Sequence, residues 1–229
     1  MAKNKKNVPE NDSFKSVESA LSRAENFIET NQKAFMYGLG GVLVLVLLVI
    51  GYFKLIREPR IQEAWSEAYK AEFYFERDSF NLALNGDWAY PGFLEIIDNY
   101  GRTPMGNAAK YYAGVCYMRL GDFEAAIDML EDFKSKDPMV GAMAVCLIGD
   151  ANMELGNMDD ALEYYLKAAE KADNEFLSPI FLMKAGRTCE LLGDNKQALE
   201  LYQRIDKEYY ETPQQQEIEK YIKRVEMKL

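Results

Sequence analysis

Histidine is absent from the chain. That absence excludes Ser-His-Asp and Cys-His nucleophile systems, imidazole general bases and every zinc site built on a histidine ligand. Cysteine is scarce. Cys116, Cys146 and Cys189 are odd in number and each sits beside apolar residues in a predicted helix, so they are expected to pack as buried thiols. No Gly-rich phosphate loop, no Cys-x-x-Cys and no set of metal-ligand spacing occurs. The acidic pairs Glu131-Asp132 and Asp159-Asp160 fall between apolar helical positions, where a solvated face accounts for them. The chain is therefore expected to be no enzyme and to need no cofactor, metal or small-molecule substrate.

Positive charge becomes scarce after Arg60. Residues 1–60 carry 9 Lys/Arg against 6 Asp/Glu, whereas residues 61–229 carry 18 against 31. A part with a net charge of -13 repels a phosphate backbone, so no nucleic-acid partner is expected.

Charge of either sign disappears between Ala34 and Phe53, where Val42 to Ile50 is wholly aliphatic. Twenty residues at about 1.5 Å rise match a hydrocarbon core of about 30 Å. A transmembrane helix over 34–56 follows, contacting the lipid bilayer. The 33 polar residues before it argue for an uncleaved anchor instead of a signal peptide. Phe35, Tyr37, Tyr52 and Phe53 at its ends, with Lys33 and Lys54 outside them, form an interfacial belt. Lys15, Arg23 and Lys33 balance Lys54, Arg57, Arg60 and Lys70; adding Lys3, Lys5 and Lys6 places the N-terminus in the cytoplasm. Ala34 and Gly38 make a small-xxx-small pair that would admit another membrane helix. In the 1–33 tail, Phe14, Val17, Leu21, Ala24 and Ile28 repeat at helical spacing behind Ser13, predicting a short amphipathic helix.

Residues 57–229 are built on a repeat. Gly114 to Ile127 returns as Gly149 to Leu162, and again from Gly186 through Leu192, Gly193, Asp194 and Ala198-Leu199. The glycines recur after 35 and then 37 residues, near the 34 of tetratricopeptide repeats. Each element has a physical task. The first glycine lets two helices touch, Leu-Gly-Asp/Asn ends the first helix, and the alanine begins close packing in the second. Tyr165 and Tyr202 occupy matching second-helix positions, and Pro138 is expected to close the first unit. A degenerate unit is expected before these, with one long helix over 61–84 and a partner over 93–100. Trp65, Tyr69, Phe73, Phe93, Ile96 and Ile97 would be its apolar faces. A capping helix over 214–229 completes an all-α solenoid, a right-handed superhelix of helix pairs.

First helices of such pairs line the concave face, so aligning units by their glycines nominates the residues of a protein-binding groove. These are Ala108, Tyr111, Val115 and Met118, then Met143, Cys146, Asp150 and Met153, then Ile180, Met183, Arg187 and Glu190. A methionine-rich, sparsely charged groove suits loosely specific binding of protein segments. It lacks the run of lysines and arginines that would clamp a peptide carboxylate.

Phe27-Ile28-Glu29-Thr30-Asn31-Gln32-Lys33-Ala34 runs into a glycine-containing anchor that exits at Gly51-Tyr52, followed by a long helix rich in Ala and Tyr. This order of parts resembles YfgM-type proteins, ancillary subunits of the Sec translocon. The resemblance implies a cytoplasmic N-terminus, a periplasmic repeat domain and residence in a bacterial inner membrane. It also implies translocon subunits, a parvulin-like membrane-anchored chaperone and exported chains as partners. The alternative expectation is a structural scaffold of another cell-envelope complex, in division or outer-membrane assembly.

Overall fold

The computed structural model describes residues 12–229 and is helical, with no strand among the described residues. Two compact units divide between Glu58 and Pro59. In the first, α1 (Asp12–Thr30) is followed by α2 (Gln32–Tyr52) and a π-helical turn over Phe53–Arg57. None of the α2 side chains is buried. This helix is long and apolar enough to cross a membrane. Val17 and Leu21 of the amphipathic stripe are exposed. Lys3, Lys5 and Lys6, and the side chains of Ser13, Phe14, Lys15, Ala24 and Ile28, lie outside the described residues.

The second unit contains α3 (Glu58–Phe75), α4 (Phe80–Asn85), α5 (Phe93–Tyr100), α6 (Pro104–Leu120), α7 (Phe123–Asp132), α8 (Pro138–Leu155), α9 (Met158–Ala172), α10 (Ser178–Leu192), α11 (Asn195–Glu208) and α12 (Pro213–Glu226). Punctuation is chemical and repeats itself. Thr103, Asp137 and Thr212 accept backbone N–H bonds at the starts of α6, α8 and α12, each followed by proline at the first helical position. Asp122 and Asp194 do the same for α7 and α11. Gly121, Gly156 and Gly193 end the first helices at φ near +80°, the left-handed conformation that costs other residues about 1–2 kcal/mol.

Pairing of the helices follows from missing side chains. A Cβ on Gly114 would stand 2.6 Å from Leu130, one on Gly149 2.8 Å from Tyr165, and one on Gly186 2.4 Å from Tyr202. The facing Ala126, Ala161 and Ala198 are fully buried. Three pairs, α6/α7, α8/α9 and α10/α11, result from this device; the apolar residues of α8 to α11 with Ile218, Tyr221 and Val225 of α12 build the larger core, α6 packs into a second one with α3 to α5, and Leu130 of α7 meets Ala144 and Ile148 of α8 in a third. Full burial of one such side chain, Leu182 for example, contributes about 2 kcal/mol.

Four expectations are corrected. The helix over 61–84 is two, because the chain turns at Asp78 with φ of 57° before Ser79 starts α4. Trp65 and Tyr69 are not core: they are 49% and 62% exposed, while Ala64, Ala68 and Ala71 are buried against Phe93 and Ile96. Alanines allow α3 to lie close where rings would hold it off. Pro138 does not close a unit but opens α8, since Asp137 caps the helix through the N–H groups of Met139 and Val140. Cys146 and Met183, expected in the groove, are only 5% and 7% exposed and belong to the core.

Candidate protein-binding face

The first helices α6, α8 and α10 carry all the groove residues nominated from the sequence, and the structure divides them by surroundings. Met143 and Ile180 are exposed at 42% and 37%, and Arg187 of α10 is exposed as well. Ala108, Val115, Met118 and Met153 are half-buried. Tyr111 is half-buried too, with its ring 5.3 Å from that of Phe133. Burial pushes its phenol above the ordinary range.

The polar members tie one repeat to the next. Asp150 accepts a hydrogen bond from the Tyr165 hydroxyl at 2.7 Å and a salt bridge from Lys184, whose Nζ lies 2.6 Å away. Arg187 donates to the Tyr221 hydroxyl at 2.6 Å. Glu190 accepts from Arg224, from Lys228 at 2.9 Å and from the Tyr202 hydroxyl at 2.8 Å. Burial alone would raise the Glu190 carboxyl, but the hydrogen bonds from Arg224, Lys228 and Tyr202 outweigh it and hold it at about 2.

Three of these links, Asp150 to Lys184, Arg187 to Tyr221 and Glu190 to Arg224, span 34 residues each. One repeat length separates the partners, so α12 stands to α10 as α10 stands to α8. The capping helix thus acts as the first helix of a further unit. Lys184, Tyr221, Arg224 and Lys228 were missed by a reading confined to aligned positions. For Lys184 and Arg224 the usable signal was opposite charge at the repeat spacing, to Asp150 and Glu190.

Cysteine chemistry is muted. Burial raises the Cys116 and Cys146 thiols to about 12 and the Cys189 thiol to about 11, which leaves negligible thiolate at neutral pH. Among the described residues, no three His, Cys, Asp or Glu side chains converge to hold a metal ion. Ala34 and Gly38 lie in α2, and a Cβ on Gly38 would meet nothing within 4 Å.

Family profiles described as tetratricopeptide repeat match residues 108–138 and 146–211. The TPR repeat-containing protein MJ1428 of Methanocaldococcus jannaschii is 28% identical over 131 residues, which is 56% of this chain. The chain spans only 22% of that relative's length. Among solved structures, nearly identical TPR-like repeats from Podosopora anserina superpose with a TM-score of 0.55 at 14% identity, covering 73% of this chain and 87% of that one. A point variant of the same repeats gives a TM-score of 0.54 at 15% identity, with the same two coverages. Helix pairs, terminating glycines, interhelical close contacts and these likenesses agree: the chain has the all-α fold of a tetratricopeptide-repeat solenoid, with matched repeats over residues 108–138 and 146–211.

Proposed function

We propose that this chain is a membrane-anchored, protein-binding adaptor that serves as an ancillary subunit of the Sec translocon, receiving newly exported chains or passing them to a membrane-anchored chaperone. The observation that carries the binding role is the face of α8 and α10. Met143 and Ile180 hold apolar surface open there, although both helices pack most of their other apolar side chains into the core. A flexible thioether on α8, and on α10 an aliphatic chain sharing a cavity with an exposed arginine, suit an extended protein segment, which supplies both apolar side chains and carbonyl acceptors.

An anchor at 34–56 is supported by the apolar, uncovered α2. A cytoplasmic N-terminus and an extracytoplasmic repeat domain in a bacterial inner membrane are the arrangement this reading adopts. The small pair Ala34 and Gly38 would be where another membrane helix approaches. Catalysis has no part in the proposal.

Affinity purification of the full chain from membranes in mild detergent, with the co-purifying proteins identified by mass spectrometry, tests it. Translocon subunits or a membrane-anchored chaperone are expected, together with protection of the repeat domain from protease added on the cytoplasmic side. Recovery of a different envelope complex without translocon subunits, or cleavage of the repeat domain from the cytoplasmic side, overturns the assignment.

A further inference from the structure

The end of the repeat array carries a charge arrangement opposite to that of the domain around it. A trough of about 540 Å³ between α10 and α12 is lined by Arg187, Glu190, Leu191, Tyr221, Arg224 and Lys228. A second cavity of about 310 Å³ shares Arg187 and Tyr221 with it and adds Ile180 and Met183, so the two run on from each other along α10. Three cations line the first cavity against one carboxylate. Glu190 is already engaged by two of them, with only 9% of its side chain exposed.

Arg187 differs. Its guanidinium gives one hydrogen bond to the Tyr221 hydroxyl and lies 5.2 Å from that ring's centre. Tyr221 also has Arg224 and Lys220 over its ring, at 4.7 and 5.2 Å. The acid lining the second cavity, Glu217, is paired with Lys220 at 2.7 Å, and Arg187 acts on its charge without a hydrogen bond to it. Arg187 therefore keeps donors free at the junction of both cavities, with Lys228 and Arg224 sharing a single negative charge beside it. Planar guanidinium donors match a carboxylate bidentately, and an apolar floor of Leu191, Ile180 and Met183 suits the aliphatic residues between acids.

We propose that this trough binds an acidic, leucine- or alanine-containing segment of a partner protein, with Arg187 as the principal carboxylate contact and Lys228 as an auxiliary one. The proposal rests on the partner-binding reading above and narrows it to a ligand class and a place. Charge decides the ligand: a domain of net charge -13 repels acidic chains everywhere except where cations are concentrated, so this patch also sets the position at which such a segment docks.

The test is fluorescence anisotropy with the full chain in phosphatidylcholine nanodiscs. One probe is a labelled nine-residue peptide of alternating glutamate and leucine with capped ends, and the other is its glutamine analogue. Binding of the acidic peptide about tenfold tighter than the analogue is expected, falling about tenfold in Arg187→Gln and about threefold in Lys228→Gln. Glutamine can still donate to the Tyr221 hydroxyl, and an unchanged thermal midpoint establishes that Arg187→Gln is folded. Lys228 has 45% of its side chain exposed, so its variant keeps the test alive if the first is unstable. Lys207→Gln, on exposed α11 surface, should leave affinity unchanged. Equal affinity for both peptides, or none of the expected loss in either variant, overturns the charge assignment. If neither peptide binds while partner proteins still co-purify with the full chain from membranes, this proposal falls and the partner-binding reading stands. If both fail, both readings fall.

Discussion

The two ends of the repeat domain reach the same helical pairing by opposite means. In α6 to α11, a glycine on each first helix receives a bulky side chain from the second, Leu130, Tyr165 or Tyr202. At the start of the domain no such glycine exists, and α3 approaches α5 along Ala64, Ala68 and Ala71 while its rings turn outward. Contact there is completed by Arg60, which donates to the Asn99 carbonyl at 2.6 Å and lies over the Tyr100 ring. Aromatic packing is concentrated behind it, where Phe93 stacks on Tyr112 with centroids 5.0 Å apart. The difference teaches that a repeat is set by where two backbones touch, and that large apolar residues can occupy either side of a helix once small ones have claimed the contact.

The largest way to break the comparison is to fill a glycine notch. Gly186→Leu puts a branched side chain where even a Cβ would lie 2.4 Å from the buried Tyr202 ring. A loss of about 3 kcal/mol or more is expected in urea unfolding of the full chain in detergent, at the upper end of overpacking costs. Ala68→Leu makes the analogous insertion at the degenerate end and should cost about 2 kcal/mol. Its neighbour Tyr69→Ser should change stability by less than about 0.5 kcal/mol, since that side chain is exposed.

Next in size is the link between the last two first helices. Glu190→Gln leaves Arg224 and Lys228 without their carboxylate, and about 2 kcal/mol should be lost at neutral pH. The folded-state carboxyl sits at about 2, below its ordinary 4.5. Its contribution is therefore complete above pH 4.5 and drains away as pH falls toward 2. The native chain should lose stability through that window more steeply than the variant.

Smaller still is Gly121→Ala, in which the added Cβ meets nothing within 4 Å but the backbone stays at φ +83°. About 1 kcal/mol should be lost. Comparing it with Gly186→Leu separates conformational cost from steric cost within one repeat array. Maleimide labelling provides a further check: Cys116, Cys146 and Cys189 should all resist modification in the folded chain at about pH 7.5 and react together on unfolding.

Legibility in the sequence followed the same division. The glycine of each touching pair, the Leu-Gly terminators and the facing alanines stand at fixed offsets, so the three central pairs and the ends of their first helices could be located from residue type alone, whereas Pro138 was assigned to the wrong side of a boundary. The break at Asp78 could not. Nothing in Phe73 to Leu84 carries proline or glycine, and the turn depends on a single aspartate adopting the left-handed conformation. Trp65 and Tyr69 misled because helical spacing identifies a stripe without saying which stripe is covered. On the first helices, position within a unit could not separate Met143, left open, from Cys146, one turn on and buried. Arg224 of α12 escaped because it belongs to a unit that lacks the repeat's glycine and is recognised only by its standing 34 residues from its partner Glu190.

The most direct test of the central claim is site-specific photocrosslinking in native membranes. A benzophenone side chain would be placed singly at Met143 and Ile180 on the first helices and at Lys167 and Glu200 on the exposed surface of the second helices. Protein adducts from the first two positions and none from the last two are predicted. Equal capture from both pairs, or capture only from Lys167 and Glu200, would contradict a binding face built on α8 and α10.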